Sequence, residues 1–164
     1  MDNKDFEKIY EQYYRPLMLY ALSLTKNKHD AEDLAADTFV KAFISYNGGG
    51  NIVGWLMTVM KHLFIDDFRR KSRYIDDGEG VLEWVASAEN ILDNYISNER
   101  QRWIYSEIYK LPQTEREIMI LTAAGSMDDG QIARLVGISA AHVRVVRHRV
   151  RKKLLETAKR EGYL

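Results

Sequence analysis

Residues 128–154 have the sequence DDGQIARLVGISAAHVRVVRHRVRKKL. Asp128 is followed three residues later by Gln131, a capping-box pattern that predicts the start of a short helix. Gly137 predicts the end of that helix, because a residue without Cβ turns left-handed at little cost. Ser139 then predicts the cap of a second helix, whose apolar residues recur at steps of three and four: Val143, Val146, Val150 and Leu154. The stretch therefore predicts two helices joined by a tight turn.

The second predicted helix is apolar on one face and basic on the others. A cluster of Lys and Arg alone most often marks a solvated face, but this cluster follows two caps and a glycine turn in register. The combination predicts a helix-turn-helix whose second helix lies in the DNA major groove. Early residues of such a helix usually reach base edges, and later residues usually meet phosphates. We expect base readout from Arg144, Val145, His148 and Arg149, and phosphate contacts from Arg151, Lys152 and Lys153.

The composition indicates an all-α protein of one average domain or two small ones. The 164 residues include only two prolines and no cysteine, which excludes a disulfide framework and a thiolate zinc site and fits a cytoplasmic protein. The longest apolar runs are far too short to span a bilayer. The charged N-terminus lacks the apolar segment of a secretion signal, so we expect no membrane insertion.

The formal net charge is zero, but the charges are unevenly distributed. Residues 74–99 contain seven acidic side chains and no Lys or Arg, whereas basic residues collect at 61–73 and 144–153. Two basic patches separated by an acidic segment predict two domains, at 1–74 and 98–164, joined by a partly flexible acidic linker at 75–97.

The N-terminal part predicts three helices. Residues 3–26 form an amphipathic pattern, which Pro16 should kink or split. Asp30 is expected to cap a second helix that runs to about Ser45, with an apolar face that includes Phe43. A glycine-rich loop precedes a third helix from Ile52 to about residue 71, with a predicted core stripe of Ile52, Trp55, Leu56, Val59 and Leu63.

The end of the third predicted helix mixes aromatic and basic residues between Lys61 and Tyr74. Bases of single-stranded nucleic acid stack on rings while the backbone follows the cations, so this mixture suits that ligand. For Phe64 or Phe68 alone, a place in the core is the simpler interpretation. Further along, a helix is expected from about residue 90 to Lys110, and Thr114 is expected to cap the next one.

Four motifs occur in order along the chain: DAEDLAADTFVKAF at 30–43, GWLMTVMKHLFIDDFRRKSR at 54–73, LPQTEREIMIL at 111–121, and the helix-turn-helix. In this order they resemble the extracytoplasmic-function sigma factors, the smallest group of bacterial sigma-70-type initiation factors. The resemblance implies two helical domains, sigma-2 and sigma-4, that bind core RNA polymerase and direct promoter recognition.

The resemblance also implies three sites. The outward stripe of the second helix would bind the β′ clamp helices of polymerase: Asp33, Ala36, Asp37, Val40 and Lys41. The glycine loop and third helix would read and melt the −10 element and capture a flipped base: Tyr46, Asn47, Gly48, Asn51, Trp55, Lys61, His62, Arg69, Arg70 and Arg73. The helix-turn-helix would read the −35 element as duplex, with Ser139, His142 and Arg147 added to the residues already named.

Further partners implied by the resemblance are the β flap of polymerase and a cognate anti-sigma factor. No catalytic residue, metal, cofactor or small-molecule substrate is expected.

Two other functions compete with this interpretation. A stand-alone helix-turn-helix regulator explains the C-terminal part equally well, but gives the aromatic and basic cluster at 64–74 no purpose. A metal-dependent hydrolase would use carboxylates such as Asp30, Asp33, Asp37 or the pair Asp66-Asp67, together with His29. These acids lie on predicted exposed stripes with matching lysines, and no HExxH pattern occurs.

Overall fold

The computed structural model describes residues 1–71 and 91–164, with the side chains of the third helix described as far as Asp67. The N-terminal half consists of α1 (Asn3–Thr25), α2 (Lys28–Ser45) and α3 (Ile52–Lys71). After a short helical stretch at 91–95, the C-terminal half consists of α4 (Glu99–Tyr109), α5 (Gln113–Ala124), α6 (Asp129–Val136) and α7 (Ala140–Arg160). The predicted all-α class is confirmed. The predicted acidic linker falls mainly outside the described residues, and the division into domains stays a prediction.

The central element of the fold is the second half of α1. The helix begins after Asp2, whose side chain accepts the backbone N–H groups of Lys4 and Asp5, and it continues through Pro16 without being split. Its next eight residues, Leu17 to Leu24, are all buried. A helix that is buried on every side must lie within the core, so the amphipathic pattern predicted for all of α1 describes only its first half.

The second helix begins three residues earlier than predicted. Asn27, not Asp30, is its cap, and the Asn27 side chain accepts the backbone N–H of Asp30. Its inner face is buried through Leu34, Ala35, Thr38, Phe39 and Ala42, as the periodicity predicts. Phe43 was assigned to this face incorrectly, because it is 40% exposed and its ring meets that of Phe6 in an edge-to-face contact, with 5.1 Å between the centroids.

The buried stripe of α3 is rotated from the predicted one. Val53, Leu56, Met57 and Met60 are buried, whereas Ile52, Trp55, Val59 and Leu63 are only partly so. Of the predicted stripe, Leu56 alone lies fully inside. The rotation turns Trp55 towards Tyr46, with 5.2 Å between the ring centroids.

Two predicted helix boundaries in the C-terminal half are wrong. The helix expected from about residue 90 to Lys110 is interrupted at residues 96–98, and Asn98 caps α4 by accepting the backbone N–H of Gln101. Thr114 does not cap the following helix, because α5 begins at Gln113 directly after Pro112. Pro112 itself occupies the cap position, with φ −54° and ψ 155°, and its side chain makes no capping hydrogen bond.

The two halves pack against each other. Helix α1 contacts α5 as well as α2 and α3, and α3 contacts α6. The Tyr109 hydroxyl donates a 2.8 Å hydrogen bond to the carbonyl of Leu19, and both residues are buried. Leu92 and Ile96, which precede α4, are also buried in the common core. The helix-turn-helix is therefore held beside the N-terminal half.

Candidate nucleic-acid interface

The turn between α6 and α7 follows the sequence prediction closely. The Asp128 side chain accepts the Gln131 N–H at 2.8 Å, and the Gln131 side chain accepts the Asp128 N–H at 2.9 Å, so the capping box is complete. Gly137 ends α6 with φ +83°, and its N–H bonds to the Ala133 carbonyl at 2.8 Å. Ser139 then caps α7 by accepting the His142 N–H at 3.1 Å. Local sequence thus specifies the caps and the turn between the two helices.

Helix α7 has one buried face and one exposed basic face. Val143, Val146, Val150 and Leu154 are buried, as predicted. Ser139, His142, Arg144, Val145, His148, Arg149, Arg151 and Lys152 are all exposed. Val145 is 61% exposed in the middle of this polar face, where an apolar side chain can contact a thymine methyl group in the major groove.

Arg147 differs from the other predicted DNA-binding residues. Its guanidinium turns back into the helix-turn-helix, where it meets Asp129 at 2.7 Å and the Thr122 hydroxyl at 3.1 Å, and its side chain is only 14% exposed. Arg144 also reaches Asp129, at 3.5 Å. The hydrogen bond from Arg147, together with the positive charges of Arg147 and Arg144, lowers the pKa of the Asp129 carboxyl group. Asp129 therefore positions two arginines of α7 relative to α6.

Arg149 is held from another helix. Its guanidinium lies 2.6 Å from a carboxylate oxygen of Glu115 on α5, while its side chain stays 61% exposed. The ion pair orients this arginine without removing it from solvent, so the pair contributes little to stability. Its effect is to fix the position of the Arg149 guanidinium on the exposed face of α7.

The predicted polymerase-binding stripe of α2 is exposed along its length. Asp33, Ala36, Asp37, Val40 and Lys41 all face solvent. Val40 is 57% exposed, and next to it lie Phe43 and Ile44, the latter 73% exposed. The sequence did not predict that these two apolar residues are exposed. Three exposed apolar side chains beside two carboxylates form a surface that combines apolar contact with charge.

The predicted −10 residues lie on the loop before α3 and on one face of that helix. Tyr46 and Trp55 pack together, Asn47 and Gly48 are exposed, and Asn51 accepts the Val53 N–H at the start of α3. His62 is exposed, whereas Lys61 is turned towards the C-terminal half. The side chains of Arg69 and Arg70, and the whole of Arg73, lie outside the described residues.

Sequence reasoning missed a buried polar group at the boundary between the halves. Glu117 was read only as part of a capping pattern, yet it is 2% exposed and its Oε1 accepts hydrogen bonds from Tyr20 at 2.9 Å and Lys61 at 2.5 Å. No periodicity in the sequence marks it, because its partners lie 97 and 56 residues away.

Neither a metal centre nor a membrane span occurs in the part of the chain that the structure describes. Within residues 1–67 and 91–164, no group of three or more His, Asp or Glu side chains is arranged to hold a metal ion. No helix in the described ranges is both long enough and apolar enough to cross a bilayer.

Comparison with known proteins identifies the family. The sequence matches the model of Sigma-70 region 2 at residues 9–74 and the model of Sigma-70, region 4, at residues 101–154. It is 32% identical over 163 residues to the RNA polymerase sigma factor YlaC of Bacillus subtilis (strain 168), which covers 94% of this chain and 92% of that protein. It is 28% identical over 141 residues to the ECF RNA polymerase sigma factor EcfG of Rhodopseudomonas palustris (strain TIE-1), which covers 84% of this chain and 76% of that one. The chain is an extracytoplasmic-function sigma factor.

The fold agrees with this assignment. The sigma factor RpoE from Bartonella quintana, solved in complex with the anti-sigma factor NepR, superposes with a TM-score of 0.64 at 23% identity, covering 95% of this chain and 98% of that one. As an alternative sigma factor, the protein directs transcription initiation. Sigma factors are DNA-binding initiation factors rather than enzymes, and the stand-alone regulator is not favoured.

Proposed function

We propose that this sigma factor divides its task among three surfaces: α2 binds core polymerase, the loop and face of α3 read the −10 element, and α7 reads the −35 element. The observation that carries the proposal is the exposed basic face of α7, backed by buried valines and preceded by a capped helix and a left-handed glycine. That arrangement allows the helix to enter the major groove while its back stays packed on the domain.

At the −35 element, Arg144, Val145, His148 and Arg149 would contact base edges, because they lie near the start of the exposed face. Arg151 and Lys152 would contact phosphates one turn further along. Ser139 and His142, at the start of α7, would lie near the DNA backbone. Arg147 would act mainly by holding Asp129, since its guanidinium is occupied within the domain.

At the −10 element, the loop and α3 would take the displaced strand. Tyr46 and Trp55 offer adjacent rings on which a base could stack. Asn47, Gly48, Asn51 and His62 would line the same path, with cationic contacts from Lys61, Arg69, Arg70 and Arg73.

On α2, the stripe of Asp33, Ala36, Asp37, Val40 and Lys41 would bind the β′ clamp helices. The β flap would contact the C-terminal half. A cognate anti-sigma factor is proposed by analogy with RpoE, which was solved with NepR. We further propose that the protein works in the cytoplasm beside polymerase, catalyses no reaction itself, and needs no cofactor.

Run-off transcription tests the proposal. Purified core RNA polymerase is incubated with and without the protein on sheared genomic DNA of its host, and the start sites are mapped. We expect discrete transcripts that require the protein, with two shared sequence elements upstream of each start. Absence of such transcripts, together with tight binding of the protein alone to duplex DNA, would overturn the proposal in favour of a stand-alone regulator.

A further inference from the structure

Several arginines of α7 are paired with carboxylates of their own domain. Arg147 lies 2.7 Å and Arg144 lies 3.5 Å from the carboxylate of Asp129 on α6. Arg149 lies 2.6 Å from the carboxylate of Glu115 on α5. A helix that is proposed to bind a polyanion therefore has three of its cations matched within the protein, and the pairs differ in how much of each arginine they leave exposed.

The two arginines beside Asp129 are held differently. The side chain of Arg147 is 14% exposed, whereas that of Arg144 is 60% exposed. The Arg147 guanidinium is bound through two nitrogens, because Nη2 meets Asp129 and Nε donates to the Thr122 hydroxyl at 3.1 Å. That hydroxyl donates in turn to the Ile118 carbonyl at 2.7 Å, which leaves its oxygen free to accept from Arg147. One carboxylate thus keeps one arginine within the domain and leaves another on the surface.

The number of free cations decides how strongly a protein binds duplex DNA of any sequence. Each phosphate that a Lys or Arg neutralises releases counterions, so the logarithm of the binding constant falls with the logarithm of the salt concentration by about 0.9 per contact. An arginine whose charge is matched within the protein adds little to this effect. Sequence preference comes from side chains that reach base edges, and it is a difference between two affinities.

Arg147 stands at the edge of the exposed face of α7. Its neighbours in sequence are Val146, which is buried, and His148, which is exposed and proposed to reach base edges. Without the charge of Asp129, the Arg147 guanidinium would keep only neutral acceptors inside the domain. A partly buried charge that has lost its counter-charge is unfavourable, so a DNA phosphate would become its best partner.

We propose that Asp129 is a positioning residue for −35 recognition, which presents Arg144 to the DNA and withholds Arg147 from it. Asp129 acts through the two guanidinium groups and decides which of them meets the promoter. The inference rests on the proposed −35 role of α7.

The test measures binding of the holoenzyme, formed from the full chain and core RNA polymerase, to two fluorescent promoter fragments at several salt concentrations. One fragment carries the −35 element found upstream of the mapped transcription starts, and the other has that element scrambled. The salt slope counts the phosphates that are neutralised, and a merely structural role of Asp129 would not make it steeper. Circular dichroism checks the helix content of every variant.

We expect Asp129→Asn to bind the scrambled fragment about fivefold more tightly at about 0.15 M salt, with a salt slope steeper by about 1, the effect of one added phosphate contact. The promoter fragment should gain less, because Arg144 is no longer oriented, so discrimination between the fragments should fall. Asp129→Glu keeps the carboxylate and should retain the salt slope of the unchanged chain. The matched control is Glu156→Gln, which removes an exposed carboxylate elsewhere on α7 and should also retain that slope.

The part played by Arg147 is tested by Arg147→Met in two backgrounds. In the otherwise unchanged chain, this substitution should leave the salt slope as it is, because Asp129 already withholds the guanidinium from DNA. In the Asp129→Asn background, it should return the slope to that of the unchanged chain. If Arg147→Met lowers the helix content, Arg147→Gln takes its place in both backgrounds.

The proposal is overturned if Asp129→Asn leaves the scrambled-fragment affinity and the salt slope unchanged. It is also overturned if Asp129→Asn keeps its gain after Arg147 has been replaced, since loss of the carboxylate alone would then explain the gain. Weaker binding to both fragments would mean that Asp129 only stabilises the domain. Failure of the proposed function is a different result, in which the holoenzyme of the unchanged chain does not distinguish the two fragments, and the salt slopes on scrambled duplex would still decide whether Arg147 is withheld.

Discussion

At the scale of single residues, Asp129 shows how one carboxylate organises a binding surface. It lies in the first turn of α6, where a negative charge is favoured by the exposed backbone N–H groups. Its carboxylate oxygens lie 2.7 Å from the Arg147 guanidinium and 3.5 Å from that of Arg144. The sequence indicated a basic helix, but not that one of its arginines would turn inward. That assignment required the position of an acid 18 residues away on the preceding helix.

Asp129→Asn should change the acid stability of the protein. The Arg147 hydrogen bond lowers the folded-state pKa of Asp129 below 3.8, so its stabilising contribution is present above about pH 4 and is lost as the pH falls through the folded value. We expect the unfolding free energy of Asp129→Asn, from urea denaturation at pH 2.5 to 7, to fall less steeply below pH 4 than that of the unchanged chain. Asp33→Asn, which removes an exposed carboxylate on α2, is the control. Equal acid slopes for Asp129→Asn and the unchanged chain would contradict the role given to this pair.

At the scale of elements, helix caps and turns were predictable where the signal is local. The capping box at Asp128, the glycine at 137 and the cap at Ser139 all occur as the sequence predicts, because each depends on residues within four positions. The cap at Thr114 and the continuous helix from residue 90 were wrong, since Pro112 and Asn98 provide competing starts. The stripe of α3 was misplaced because an apolar helix offers more than one candidate face, and Val53, Leu56, Met57 and Met60 form the face that is buried against the other helices.

Gly137 allows a direct test of the turn. Its φ of +83° is left-handed, and an added Cβ would meet nothing within 4 Å, so substitution carries a conformational cost without a clash. We expect Gly137→Ala to lower the unfolding free energy by about 1–2 kcal/mol, measured by urea denaturation. Gly137→Asn should cost clearly less, because asparagine tolerates this conformation. Equal losses in the two variants would mean that the backbone conformation is not the cause.

The exposed stripe of α2 is tested by charge reversal. We expect Asp37→Arg to weaken binding to core polymerase in a pull-down. Helix content and unfolding free energy should stay unchanged, because Asp37 is exposed to solvent. Glu156→Arg reverses an exposed carboxylate on α7 and serves as the matched control. Retention of Asp37→Arg by the polymerase at the level of the control would refute the clamp assignment.

At the scale of the whole molecule, the two halves form one core around α1, and this could not be predicted from the sequence. The eight buried residues from Leu17 to Leu24 exceed what α2 and α3 need for one apolar face, and α5 covers the remainder. A glutamate in a helical pattern predicts an exposed position, yet Glu117 is buried by partners from the other half. Fold class and family were predictable because they depend on the order of motifs, whereas the arrangement of the halves depends on contacts between distant residues.

This shared core should become sensitive to alkaline pH. The hydroxyls of Tyr20 and Tyr109 cross the boundary, to Glu117 and to the Leu19 carbonyl, and burial raises both pKa values well above 10.0. Because the folded values exceed the unfolded value, their contribution is fully present below pH 10 and is lost as the pH rises towards the folded pKa. Above pH 10 we expect the unfolding free energy to fall by about 1.4 kcal/mol per pH unit for each tyrosine, measured by urea denaturation from pH 8 to 11.5.

The double variant Tyr20→Phe, Tyr109→Phe should be less stable at pH 8, but its unfolding free energy should fall less steeply above pH 10. Tyr163→Phe, whose ring stacks on Trp103 within the C-terminal half, should keep the slope of the unchanged chain. If the double variant keeps that slope as well, ionisation of Tyr20 and Tyr109 is not the cause of the loss of unfolding free energy above pH 10.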